Sequence, residues 1–317
     1  MELYLAGTSL AEVSTGVDFV ISTTNDISPH SVEGIRSGTS NHARINFAEP
    51  ADDFWFSCYV YSSAGSTSPQ SYIILGDGNQ DRIRIRSVST PESVFEYHNG
   101  SSWIGVGGNL PLPAALVRLD IRVRFDDTLG EISLYIDGNL EASFTGDTSF
   151  GNAIDRLWFC RRSNSGSSYS TISSWFATDV DSRPIEMVIR VPTGNGTHTD
   201  WDGSYTDIDE IGLEVSDHID STANGERSTF TKGSLAAYSG WAVHSVAHVM
   251  HGVRGAGAAV SLSSTVRYGG DDFDSDPFPV SELPGNFFTK MDVNPDTSLA
   301  WDIDDLDGAE FGVLTVL

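Results

Sequence analysis

The segment Arg118-Leu119-Asp120-Ile121-Arg122-Val123-Arg124-Phe125-Asp126-Asp127-Thr128-Leu129-Gly130-Glu131-Ile132-Ser133-Leu134-Tyr135-Ile136-Asp137-Gly138-Asn139-Leu140 decides the fold. Leu119, Ile121, Val123 and Phe125 alternate with Asp120, Arg122 and Arg124. Ile132, Leu134 and Ile136 alternate again after Asp126-Asp127-Thr128-Leu129-Gly130. A period of two sends successive side chains to opposite faces, so the segment reads as two half-buried strands joined in a hairpin. Asp137-Gly138 opens a second tight turn, because glycine tolerates the positive φ such turns need.

The same pattern extends over most of the chain. Short apolar runs separated by Gly, Asn, Asp and Pro predict strands at 43–47, 54–61, 71–75, 82–87, 94–97, 116–125, 131–136, 154–160 and 169–178. Gly76-Asp77-Gly78-Asn79, Asn99-Gly100 and Asn109-Leu110-Pro111 read as turns between them. Pro184 then interrupts pairing. Further strands are expected at 185–191, 211–215, 228–231, 241–250, 258–261, 266–269, 286–291 and 311–316, with one helical turn at 303–306. No 3.6-residue pattern persists, so the fold class is all-β. At 317 residues the chain is long for one sandwich, and we expect domains at residues 1–182 and 183–317.

Forty-four acidic residues against 18 basic ones leave a net charge of −26. Such a surface repels phosphate backbones and anionic lipid, which argues against nucleic-acid binding and membrane insertion. The start of the chain has no basic n-region and no long apolar run, so neither a secretion signal nor a membrane span is expected. Cys58 and Cys160 both fall in expected strands; two cysteines make no disulfide framework, and buried thiols are the expected state.

The hairpin at 118–140, with its hydrophobic-Tyr-hydrophobic-Asp-Gly ending, resembles the late strands of the concanavalin A-like (laminin G-like) lectin sandwich. That resemblance covers the N-terminal half and implies a jelly-roll sandwich there. A second resemblance rests on Pro192-Thr193-Gly194-Asn195-Gly196, Trp201, Asp207-Ile208-Asp209-Glu210, Pro295-Asp296-Thr297-Ser298-Leu299-Ala300-Trp301 and Ala309-Glu310-Phe311-Gly312-Val313. These look like the carboxy-terminal domain of poorly characterised virion proteins of tailed bacteriophages, in which a lectin-like sandwich often comes first. Together they imply a virion structural protein on tail or head, assembled in the host cytoplasm. Its expected partners are other virion proteins, further copies of itself and a host-surface glycan. A free carbohydrate-binding or polysaccharide-degrading protein is the alternative.

Saccharides present apolar ring faces and a rim of hydroxyls, so a binding site needs an aromatic platform beside Asp or Asn. Trp103 and Tyr97, with Asn99, Asp77 and Asn79 on nearby turns, form the candidate group. Ser102 and Gly105 suggest that Trp103 sits in a loop. Lectin-like sandwiches often hold calcium through loop carboxylates, for which Asp77, Asp126 and Asp127 are candidates. Solvated turn acids are the commoner outcome in so acidic a chain, and no other cofactor is implied. The runs at 271–276 and 302–308 look like calcium loops, but in the second Leu306 falls on a required ligand position, so the EF-hand pattern fails there. His244, His248 and His251 suggest zinc only on a helix; a strand would split them, and no His-Glu-x-x-His is present. The chain has no paired-carboxylate run of the glycosidase kind, no nucleophile elbow and no phosphate loop, so no enzyme is expected.

Overall fold

The computed structural model describes residues 3–7, 19–22, 34–37, 43–62, 71–78, 80–88, 92–111, 115–148, 153–159, 170–210, 217–255, 260–283 and 285–316. Apart from Met1, the chain divides into two compact units, Glu2–Ile189 and Arg190–Leu317. Both are β structures. Among the described residues, no helix is long and apolar enough to cross a membrane.

The first unit holds β1 (Leu3–Gly7), β2 (Phe19–Ser22), β3 (Gly34–Ser37), β4 (Ala43–Ala51), β5 (Asp53–Ser62), β6 (Ser71–Asp77) and β7 (Gln80–Ser87). It continues with β8 (Glu92–His98), β9 (Trp103–Pro111), β10 (Leu116–Arg124), β11 (Gly130–Ile136), β12 (Asn139–Gly146), β13 (Ile154–Phe159) and β14 (Ser170–Thr178). An eight-stranded sheet runs β12-β11-β10-β5-β14-β3-β2, with β1 also on β14, and a six-stranded sheet runs β4-β13-β6-β7-β8-β9. The hairpin expected at 118–140 is β10–β11, with Leu119 opposite Ile136 and Val123 opposite Ile132. Asp137 and Gly138 both take positive φ, 48° and 78°, as a two-residue hairpin turn requires.

The two sheets share one apolar core. Alternation decides which residues enter it: Phe54, Phe56 and Cys58 from β5 and Leu119, Ile121 and Val123 from β10 are fully buried. Aromatic pairs tie sheet to sheet, Phe47 to Phe54 at 5.5 Å, Phe159 to Trp175 at 4.9 Å and Tyr97 to Phe144 at 4.9 Å between ring centroids. Burying each such ring stabilises the fold by roughly 1.5–3 kcal/mol. In β14, Ile172 and Trp175 both face inward although their spacing is odd. Ser174, at φ 47°, lies in the bulge that resets the phase.

Beyond β14 the sequence pattern predicts a strand at 185–191, and the structure shows none. Polar bonds hold this stretch to the outer face of the eight-stranded sheet instead. Ser182 Oγ donates to Asp120 at 2.7 Å, and Arg118 donates to Ser182 O and to Glu186, both at 2.6 Å. Tyr59 donates to Glu186 as well, and burial together with that carboxylate pushes its phenol up to about 12. The chain therefore stays with the first unit through Ile189.

The second unit holds β15 (Pro192–Thr199), β16 (Arg227–Lys232), β17 (Val246–Gly252), β18 (Val260–Tyr268), β19 (Asp271–Asp274), β20 (Phe278–Val280), β21 (Gly285–Met291), α1 (Ile303–Gly308) and β22 (Glu310–Val316). One sheet runs β15-β16-β22-β18-β19 with β20 on β18; β17 and β21 form a separate ribbon. Met250 and Phe287 of the ribbon pack on Leu262, Val280 and Val313 of the sheet, giving a second, smaller sandwich. Residues 260–261 and 266–268 of the strands expected at 258–261 and 266–269 belong to the single strand β18, 258–259 lie outside the described residues, and 241–245 precede β17 without strand structure. The strand expected at 211–215 and Cys160 lie outside the described residues.

The C-terminal motif has structural work in this unit. Trp301 is buried beside Tyr268 and Phe311. Asp302 caps α1 by accepting from the Asp305 N–H at 2.7 Å, and Lys232 Nζ donates to the carbonyls of Leu306 and Ala309. At Gly312 any Cβ would sit 2.0 Å from Ser228 O, so only glycine lets β22 approach β16.

Candidate functional site

In β7, Arg82, Arg84 and Arg86 alternate with Ile83 and Ile85. The isoleucines enter the core, so the guanidinium groups share the outer face of the six-stranded sheet. In β8, Phe95 and Tyr97 point inward by the same rule, leaving Glu96 and His98 outside. Register sets Arg84 directly opposite Glu96. Glu96 Oε2 accepts from Arg84 Nε and from Arg86 Nε, each at 2.7 Å, and Oε1 accepts from Arg86 Nη2 at 2.8 Å. Burial pushes the Glu96 carboxyl up, but the bonds and charges of Arg86 and Arg84 outweigh it and hold the group below the usual glutamate range. Two cations thus share one anion.

The β8–β9 turn brings an aromatic ring to this cluster. Asn99 Oδ1 accepts from the N–H groups of Ser101 and Ser102 at 3.0 and 2.9 Å, and Gly100 takes φ 88°, which sets Trp103 opposite His98. The Arg84 guanidinium carbon lies 3.7 Å from the Trp103 ring centroid, and the His98 ring meets the indole edge-on at 5.3 Å. Further along the sheet, Trp158 lies over Gly76, where a Cβ would come within 2.6 Å of the indole. Arg156 stands 5.4 Å from the Trp158 ring centroid.

Of the sequence-derived saccharide group, Trp103 and Asn99 belong to this turn. Trp103 is the first residue of β9 and half-buried, not a loop residue. Tyr97 is on the opposite face: it pairs with Ile104, one residue out of phase with Trp103, and packs in the core against Phe144. Asp77 is buried, with its carboxylate bonded to Arg82 at 2.8 Å. Asn79 lies outside the described residues.

Among the calcium candidates, Asp126 accepts from the N–H groups of Leu129 and Thr128, which hold its carboxyl low, and Asp127 accepts from Thr128 Oγ1. These acids belong to the β10–β11 turn of the eight-stranded sheet, whereas Asp77 ends β6 in the other sheet. No group of three or more His, Cys, Asp or Glu side chains that could hold a metal occurs among the described residues. His248 and His251 stand at opposite phase in β17, as strand geometry requires, while His244 precedes that strand; His248 turns inward, its Nδ1 2.6 Å from Ser264 Oγ. Burial pushes its imidazole down to about 4.

Arg84, Arg86 and Glu96 were absent from the sequence-derived group. The signal was present in Arg82-Ile83-Arg84-Ile85-Arg86, which sends three cations to one face of a chain that has only 18 basic residues.

No protein-family model and no curated protein sequence matches the chain. Solved structures are similar to it at low identity. The globular domain of T. cruzi calreticulin is 10% identical with a TM-score of 0.43, covering 58% of this chain and 90% of that one. The receptor-binding domain of botulinum neurotoxin type G is 12% identical with a TM-score of 0.40, covering 55% of this chain and 43% of its own. A botulinum neurotoxin type C structure, a protein described as depending on two ganglioside molecules to enter cells, is 12% identical with a TM-score of 0.42 and coverages of 73% and 70%. Similarity at this level assigns the chain to no family.

Proposed function

We propose that the protein is a non-catalytic contact protein that holds a saccharide on the outer face of its six-stranded sheet. The observation that carries this reading is the joint presentation of Trp103, Arg84 and Glu96 on three neighbouring strands of an otherwise acidic molecule. An indole beside fixed, directional donors and acceptors is the chemistry that a ring with both apolar faces and polar edges calls for. The site stands on paired strands, so the groups are in place before a ligand arrives. In keeping with the resemblance of its sequence, we place the protein on a tailed-phage particle, where such a face serves attachment to host-surface glycans.

A glycan array probed with the full chain tests the binding. The expected result is selective retention on a subset of saccharides that Trp103→Ala abolishes; retention unchanged by Trp103→Ala, or none on any saccharide, overturns it. Mass spectrometry of purified particles tests the location, with the protein expected at stoichiometric copy number and its absence from the particle counting against that placement.

A further inference from the structure

We propose that the saccharide taken by this face carries a carboxylate, as a uronic acid does, with Arg84 as the residue that receives it. The proposal rests on the reading of the face as a saccharide site and deepens it. Its basis is one juxtaposition: Arg84 and Arg86 share the single carboxylate of Glu96, and Arg84 at the same time covers the Trp103 ring at 3.7 Å.

The stacking has a direct consequence for the ligand. A neutral sugar binds an indole by laying its C–H face on the ring, and here one face of Trp103 is taken by a guanidinium. Arg84 contributes only Nε to Glu96, and its two terminal nitrogens have no acceptor among the described residues. A planar guanidinium presents its donors in a fork that matches the two oxygens of a carboxylate. Arg86 already shows that geometry on this face, gripping Glu96 through Nε and Nη2 at 2.7 and 2.8 Å. Glu96 neutralises one of the two arginines, so the cluster keeps one positive charge to offer. The Arg84 side chain retains 20% of its exposure, enough to be reached from solvent while the stack on Trp103 fixes its plane.

Charge also limits the size of the ligand. The whole chain carries −26, and at physiological ionic strength charges are screened over about 8 Å. A short acidic saccharide therefore senses the local cation, whereas a long polyanion such as nucleic acid extends over surface that repels it. The neighbouring arginines of the face do not add to the attraction, since Arg82 is bonded to Asp77 and Arg156 to Asp155.

The test is a calorimetric titration of the full chain with digalacturonic acid and with its methyl ester, which keeps the rings and hydroxyls and removes the charge. We expect the acid to bind about tenfold or more tightly than the ester, the scale of a charge-assisted hydrogen bond. In Arg84→Gln that advantage should disappear, and Arg84→Lys, which keeps the charge without the fork, should restore only part of it. Equal binding of acid and ester overturns the carboxylate proposal and leaves the saccharide site standing. An acid preference that survives Arg84→Gln overturns it also, by placing the charge recognition elsewhere. Failure of both compounds to bind at millimolar concentration, while other saccharides on the array are retained through Trp103, overturns only the carboxylate proposal; failure of every saccharide removes the site itself. The comparison of acid with ester uses the unaltered chain, so it stands even if Arg84→Gln does not fold.

Discussion

Between the sheets of Glu2–Ile189 lie Phe54, Phe56, Phe159, Trp175 and many aliphatic side chains with no remaining exposure, whereas in Arg190–Leu317 the cluster where ribbon meets sheet, Leu262, Val280 and Val313, is still reached by some solvent. The second unit makes up for this with polar contacts. Asp272 accepts from Arg227 at 2.6 Å and Arg267 at 2.7 Å and lies 2.9 Å from His198, while Glu310 accepts from Thr229 and from both the N–H and the hydroxyl of Thr197. Thus β15, β16, β19 and β22 are tied across their outer face by charge and hydrogen bonds. One unit is held mainly by apolar burial and presents a polar surface for contact; the other is held to a greater degree by polar bonds, which makes its stability sensitive to pH.

The sharpest way to break this contrast is in the cores. Phe56→Ala removes a fully buried ring and should cost about 3–5 kcal/mol, read as early unfolding of the first unit by amide exchange in β5 and β10. Asp120→Ala removes the carboxylate that accepts from Arg118 and from Ser182 Oγ, leaving Arg118 with Glu186 and the Ser182 carbonyl, and should cost about 2–3 kcal/mol and loosen the chain at Ser182. Leu262→Ala in the second unit should cost only about 2 kcal/mol, because its site is already partly open. A second-unit loss larger than the Phe56→Ala loss would reverse the comparison.

Acid sharpens it further. The carboxyl of Asp272 is pushed up by burial but held low overall by Arg267, His198 and Arg227. Its contribution is therefore present above the unfolded value of about 4 and is lost as pH falls through the lower folded one. His248 acts earlier. It stays neutral in the fold down to about 4, while the unfolded imidazole takes its proton near 6.5. Between those values the unfolded state binds the extra proton, so the second unit loses stability as pH falls from 6.5 towards 4. The protection of amides in β18 and β22, after correction for the intrinsic exchange rate at each pH, should fall at pH 5 relative to pH 7, and His248→Gln should flatten that dependence. The smallest expected effect on stability is that of Trp103→Ala, under about 1 kcal/mol for a half-exposed stacked ring, even though we predict that it abolishes binding.

Most of the first unit was legible because its strands alternate cleanly, as Leu119 to Phe125 and Ile132 to Ile136 do. The failures have separate physical causes. Gly105 reads as a loop signal, but it belongs to β9, where Gly107 takes φ 74° and a Cβ would come within 3.1 Å of Ala142. Glycine there marks an irregular strand passing close to β12, which hid that Trp103 begins a strand. The stretch 185–191 alternates but forms no strand, and polar bonds from Arg118 and Tyr59 hold it at Glu186 instead. The site was legible in its aromatic residue and not in its charges, because Arg84 and Glu96 become neighbours only through the β7–β8 register.

The most direct test is a map of backbone amide shifts in the full chain on titration with digalacturonic acid. The account predicts shifts concentrated in Gln80–Ser87, Glu92–His98 and Trp103–Pro111. Shifts concentrated in Arg190–Leu317 would contradict the placement of the site, and none anywhere would contradict its recognition of a carboxylate.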